Sequence, residues 1–67
     1  MDIKWIDGFE ITVKNEGPLV ISANREGLLS LAGILSVLAE EAPGSHIHLD
    51  ANNALEDGSI EMVIERK

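Results

Sequence analysis

The sequence predicts an α+β fold: a small antiparallel sheet in the order β-β-β-α-β-β, with one helix packed on one face. Three observations predict it. Apolar and polar residues alternate near both ends of the chain, in residues 3–14 and 59–65. Between them, "SANREGLLSLAGILSVLAEEAPG" carries apolar residues at helical spacing and stops at a Pro-Gly pair. Turn pairs such as Asp7-Gly8 and Asp57-Gly58 separate the periodic stretches.

Residues 3–14 read as a hairpin broken at Asp7-Gly8. Two registers are open. A two-residue loop pairs Ile6 with Phe9 and puts Ile3 and Trp5 on the face opposite Phe9, Ile11 and Val13. Trp5 is then exposed and a candidate interface anchor. A three-residue loop with a left-handed Gly8 pairs Trp5 with Phe9. All five apolar side chains then share one face, and Lys4, Glu10, Thr12 and Lys14 meet water. The second register is preferred because it yields one apolar face.

"NEGP", residues 15–18, is a turn, and residues 19–22 form a short strand. Asn24 is the expected helix N-cap, with Ser22 as the alternative. The helix runs to about Ala42, with Leu28, Leu31, Ala32, Leu35, Leu38, Ala39 and Ala42 as its core stripe. On another face Leu29, Gly33 and Val37 recur every four residues, beside Ser30 and Ser36. A glycine inside a helix costs about 1 kcal/mol relative to alanine. Close approach of a second backbone would offset that cost, so these three residues define a candidate homodimer seam. "HIHLD" follows as a strand with Ile47 and Leu49 inward. "ANNALEDG" is a polar turn. In the last strand, residues 59–65, Ile60, Met62 and Ile64 alternate with Ser59, Glu61, Val63 and Glu65.

A chain of 67 residues forms a single domain spanning 1–67. A domain of this size buries only about 60% of the surface its unfolded chain exposes. It has no cysteine, hence no disulfide and no thiolate zinc site. A tight core and self-association are the remaining sources of stability. The lack of cysteine suits a reducing compartment. No apolar run bounded by basic residues marks a signal peptide, and none approaches the roughly 20 residues of a membrane span. The expectation is a soluble, cytoplasmic protein with no membrane partner. Twelve acidic against 5 basic residues give a net charge of -7. That charge opposes phosphate backbones and excludes a nucleic-acid partner, while it draws basic proteins.

"GSHIHLD", residues 44–50, has the spacing H-x-H-x-D. His46, His48 and Asp50 project to one side of a strand and could face one ion. Hydrolases built on H-x-H-x-D-H have a further histidine where this chain has Ala51, and only two histidines are present in all. The expectation is no metal and no cofactor, with a solvent-facing row of imidazoles instead. Ser45 and His46 are neighbours on a strand and point to opposite faces, so they form no nucleophile–base pair. Glu40-Glu41 and Glu56-Asp57 read as solvated charge. No catalytic set emerges, and the chain is not expected to be an enzyme.

Three segments taken together, "ISANREGLLSLAGILSVLA" (21–39), "GSHIHLD" (44–50) and "LEDGSIEMVIER" (55–66), resemble the immunity protein 32 family. These are small bacterial proteins predicted to neutralise cognate toxins of polymorphic toxin systems. The resemblance covers roughly the last two thirds of the chain; residues 1–20 add nothing specific to it. It implies binding without catalysis, with an acidic surface set against a basic toxin. The exposed positions it implicates are Asn24, Arg25, Glu26, His46, His48, Asp50, Glu56 and Asp57.

Overall fold

A computed structural model describes residues 2–67. Its elements are β1 (Ile11–Asn15), β2 (Leu19–Ala23), α1 (Arg25–Ala39), β3 (His46–Leu49) and β4 (Met62–Glu65). The α+β class is as expected, but the expected single sheet is two antiparallel hairpins, β1-β2 and β3-β4. Residues 3–6 form no strand.

The reason is competition for the edges of β1. One edge pairs with β2, with Val13 opposite Ile21 and Asn15 opposite Leu19. The other is taken by residues 56–60. Ile11 C=O accepts from Glu56 N–H at 2.8 Å, and Val13 C=O accepts from Ile60 N–H at 2.9 Å. Val13 N–H donates to Ser59 Oγ at 3.1 Å. A β1 strand whose second edge is occupied by residues 56–60 has no open edge to pair with residues 3–6. That segment turns to the helix instead: Ile6 N–H donates to Ser30 Oγ at 2.9 Å, and this hydroxyl donates to Glu26 C=O at 2.8 Å.

The facing expected from the three-residue loop holds even though its ladder is absent. Gly8 has φ 85°, and Phe9 N–H bonds Ile6 C=O at 3.1 Å across the turn. Trp5 and Phe9 stack with ring centroids 4.7 Å apart. Ile3, Trp5 and Phe9 all pack on the core, so the exposed-Trp5 alternative fails. That core is Ile11, Val13, Ile34, Ile47, Leu49, Ala54 and Leu55, with Leu38 also buried.

Asn24 is the N-cap, with its Oδ1 accepting from Gly27 N–H at 2.8 Å. The helix stops at Ala39, three residues before the expected end; Glu40 caps it, and Arg66 Nε donates to Ala39 C=O at 3.2 Å. Its buried stripe is Gly27, Ser30, Ile34 and Leu38. This corrects the sequence reading. Leu28 and Leu35 are 56% and 49% exposed, and Ala32, Ala39 and Ala42 are exposed as well; of the expected stripe only Leu38 is buried, with Leu31 half-buried against the core. The spacing was right and the phase wrong, because every face of this helix carries apolar residues. Gly27 decides the phase. A Cβ there would lie 2.5 Å from Glu10 C=O and 3.0 Å from Ala23 Cβ and Ile11 Cγ1.

Two further readings change. Ala54 and Leu55, expected in a polar turn, are core residues. Ile60, expected inward on the last strand, is 43% exposed because β4 begins only at Met62 and residues 56–60 follow β1.

Gly27→Ala should destabilise the fold by about 1–3 kcal/mol, the cost of overpacking against backbone. Urea titration followed by circular dichroism would read this as a lower midpoint. A neutral result would mean that the helix does not press on β1. Asn24→Ala should cost about 1–2 kcal/mol in the same assay, since it removes a cap and strands Glu10 N–H.

Candidate functional site

The sequence-derived site residues fall in separate places. Asn24, Arg25 and Glu26 surround the start of α1. The Asn24 side chain is committed to structure: Oδ1 also accepts from Glu10 N–H at 3.0 Å, and Nδ2 donates to Gly8 C=O at 2.8 Å. Its backbone N–H donates to Glu10 C=O at 3.1 Å. Arg25 is exposed and Glu26 half-buried.

Glu56 comes to the same end of the molecule because its N–H is tied to Ile11. It lines a shallow cleft of about 290 Å³ together with Glu10, Thr12, Ser22, Ala23 and Asn24. Thr12 and Ser22 are register partners on the outer face of the β1-β2 hairpin. The cleft thus presents two carboxylates over a floor of small polar side chains, a surface suited to a basic side chain. Asp57 is exposed in the next turn, where Ser59 N–H bonds Glu56 C=O at 3.2 Å and Gly58 has φ 86°.

His46 and His48 lie elsewhere, exposed on the outer face of β3-β4, opposite Glu65 and Val63. Their rings meet edge to face at 5.1 Å. His46 Nδ1 is 3.1 Å from Gly44 C=O. His48 Nδ1 is 3.8 Å from Glu61 Oε2, an exposed pair of the kind that contributes little.

Asp50 does not extend that row. Its Oδ1 accepts from Asn52 N–H at 2.8 Å, and its C=O accepts from Asn53, Ala54 and Leu55 N–H. Asn53 closes the turn, donating to His48 C=O at 2.8 Å and accepting from Asp50 N–H at 2.9 Å. The carboxylate shapes the turn that delivers Leu55 to the core. Among the described residues no three His, Cys, Asp or Glu side chains are grouped to hold a metal ion.

In the seam, Leu29 and Gly33 are exposed and Val37 half-buried. Gly33 and Val37 line a groove of about 370 Å³ with Asp2 and Lys4 of the chain's own first segment. Among the described residues no helix is long and apolar enough to cross a membrane.

The model of the family described as Immunity protein 32 matches residues 18–67. The chain belongs to the immunity protein 32 family. The match spans β2, α1, β3 and β4 and excludes β1, the strand that pairs with both β2 and residues 56–60. No curated protein and no solved structure matches the chain. Within the family segment, Ser22, Ala23, Asn24 and Glu56 contribute to the cleft, while Glu10 and Thr12 come from residues before it.

Sequence reading missed Glu10 in this cleft. The only local signal is its outward position in the alternation of residues 9–13. Its distance from Glu56 along the chain hides the pairing.

Both carboxylates are removable without touching the fold, since Glu10 and Glu56 hold it through their backbones. The double variant Glu10→Gln, Glu56→Gln should keep its circular dichroism spectrum and lie within about 0.5 kcal/mol of the parent in urea unfolding. A larger loss would mean that the side chains themselves are structural.

Proposed function

We propose that this protein is a non-enzymatic inhibitor that binds and neutralises a cognate bacterial toxin in the cytoplasm, meeting a basic surface with an acidic one. The observation that carries the reading is the family match over residues 18–67. The net charge of -7 supports it, because opposite charge accelerates and orients encounter. The cleft between Glu10 and Glu56, flanked by Arg25, Glu26 and Asp57, is the proposed contact. Asn24 acts there as a positioning residue. His46 and His48 belong to a second, smaller patch that a large partner would reach with its rim, and Asp50 holds the turn beside it.

A partner bound in this way needs no reaction from the inhibitor. Exposed acids steer the approach of the toxin, and water displaced from the cleft is replaced by hydrogen bonds from arginine or lysine.

Co-expression with the toxin encoded beside this gene should restore growth, and the purified pair should co-elute. Glu10→Lys with Glu56→Lys should slow association about tenfold or more, and raising salt should weaken the wild-type complex. Failure of rescue together with failure to bind any neighbouring gene product would sink the reading.

A further inference from the structure

The edge of a β-strand is a row of main-chain donors and acceptors, each of which needs a partner or water. The ladder shows where those of β2 go. In β1, Ile11 and Val13 point their groups at residues 56–60: Ile11 C=O accepts from Glu56 N–H, Val13 C=O accepts from Ile60 N–H, and Val13 N–H donates to Ser59 Oγ. Bonded and unbonded pairs alternate along an antiparallel ladder. Thr12 and Lys14 therefore bond their register partners in β2, Ser22 and Val20. Bonds at the two ends keep the same phase: Glu16 N–H donates to Pro18 C=O at 2.8 Å, and Asn24 N–H donates to Glu10 C=O at 3.1 Å. The N–H and C=O groups of Leu19 and Ile21 thus face away from β1. β2 pairs with β1 alone, and among the described residues no hydrogen bond reaches these four groups.

This edge also lacks the usual protection. Natural edge strands are blunted by charge, proline or a bulge. β2, "LVISA", carries no charge and no proline, and its register with β1 is unbroken over all five residues. The other hairpin is guarded: His48 C=O accepts from Asn53 Nδ2 at 2.8 Å, and β4 carries Glu65 with Glu61 just before it. The side chains of Leu19 and Ile21 stand opposite Asn15 and Val13, and directly opposed residues share a face. Val13 is fully buried, so both lie on the core face of the hairpin, yet they are 58% and 43% exposed. On the other face Ser22 lines the acidic cleft with Glu10 and Glu56.

We propose that β2 receives an extended segment of the basic toxin as an added strand, continuing the β1-β2 sheet at its open edge. The occupant follows from three chemistries at one place. Unpaired main-chain groups in strand geometry are matched by another extended backbone. An added strand lies about 4.8 Å from β2 and alternates its side chains between the two faces. On the core face it sets apolar residues beside Leu19 and Ile21. On the outer face, the residue beside Ser22 stands about 10 Å, two strand spacings, from the lane of Glu10. An arginine or lysine there extends over Ser22 toward that carboxylate. The segment is thus extended, with apolar and basic residues alternating. A second copy of β2 would supply the backbone but only Val20 or Ser22 on the outer face, and no base for Glu10. This mode of binding rests on the chain being the toxin inhibitor proposed above; it adds that main-chain bonds from Leu19 and Ile21 hold the toxin, with the acidic cleft reading one face of its strand.

Hydrogen exchange read residue by residue, on the full chain alone and with the toxin encoded beside the gene, tests the proposal. In the free chain the Leu19 and Ile21 amides should exchange quickly while Val20 and Ser22 are protected. In the complex both outward amides should slow by about tenfold or more. Ile21→Pro removes only an outward N–H and leaves the β1 ladder bonds in place, a position where edge strands accept proline. It should keep its circular dichroism spectrum and weaken toxin binding about tenfold or more. Ile21→Thr keeps both the N–H and the strand, and should weaken binding less. If Ile21→Pro fails to fold, the exchange of the parent chain decides. A toxin complex in which the Leu19 and Ile21 amides exchange as fast as in the free chain overturns strand addition and leaves the inhibitor reading standing. Equal losses in Ile21→Pro and Ile21→Thr assign the contact to the side chain and overturn it too. Protection of the two amides that grows with concentration in the chain alone gives the edge to a second copy, which also overturns it. Absence of any toxin binding or rescue by the parent removes the inhibitor reading itself and strand addition with it.

Discussion

The contact on which this fold depends is the meeting of the start of α1 with the start of β1. Gly27 lets the helix backbone come within contact of Glu10 C=O, closer than any Cβ would allow. Asn24 locks the approach by bonding Gly8, Glu10 and Gly27 at once. The knot draws a turn, a strand and a helix terminus together with neutral hydrogen bonds. Unlike a surface ion pair, it is insensitive to salt. A small domain without disulfide or metal depends on such directional contacts, because its core is too small to specify the arrangement alone.

The rest follows geometrically. With Gly27 pressed on β1, the residues at helical spacing from it, Ser30, Ile34 and Leu38, must face inward. Leucines one position away are carried to the surface. With β2 on one edge of β1 and residues 56–60 on the other, the N-terminal segment has only the helix to bond, and Ser30 receives it. The hydroxyl at position 30 is the sole buried polar side chain among the described residues, and both its hydrogen-bonding roles are filled.

The same constraint separates the surface into two chemistries. Acidic side chains gather where the ends of β1, β2 and the 56–60 segment converge. The helix flank is left without charge. A polar cleft lined by Glu10 and Glu56 and an uncharged, exposed helix flank thus lie on one small molecule.

The α+β class, the N-cap at Asn24, the inward row of Trp5, Phe9, Ile11 and Val13, and the burial of Ile47 and Leu49 were legible in the sequence. Each rests on local chemistry: a side chain reaching its own backbone, a glycine that tolerates positive φ, or a period of two. The family was legible too, since it resides in ordered segments of sequence. Tertiary structure alone decided the phase of the helix, the splitting of the sheet, the core role of Leu55 and the meeting of Glu10 with Glu56. Periodicity counts residues per turn but does not say which face turns inward when every face is apolar, and a strand's alternation does not say which neighbour takes its edge. Those choices were made by one glycine's clearance against a carbonyl and by competition for the hydrogen bonds of β1, both between residues far apart in the chain.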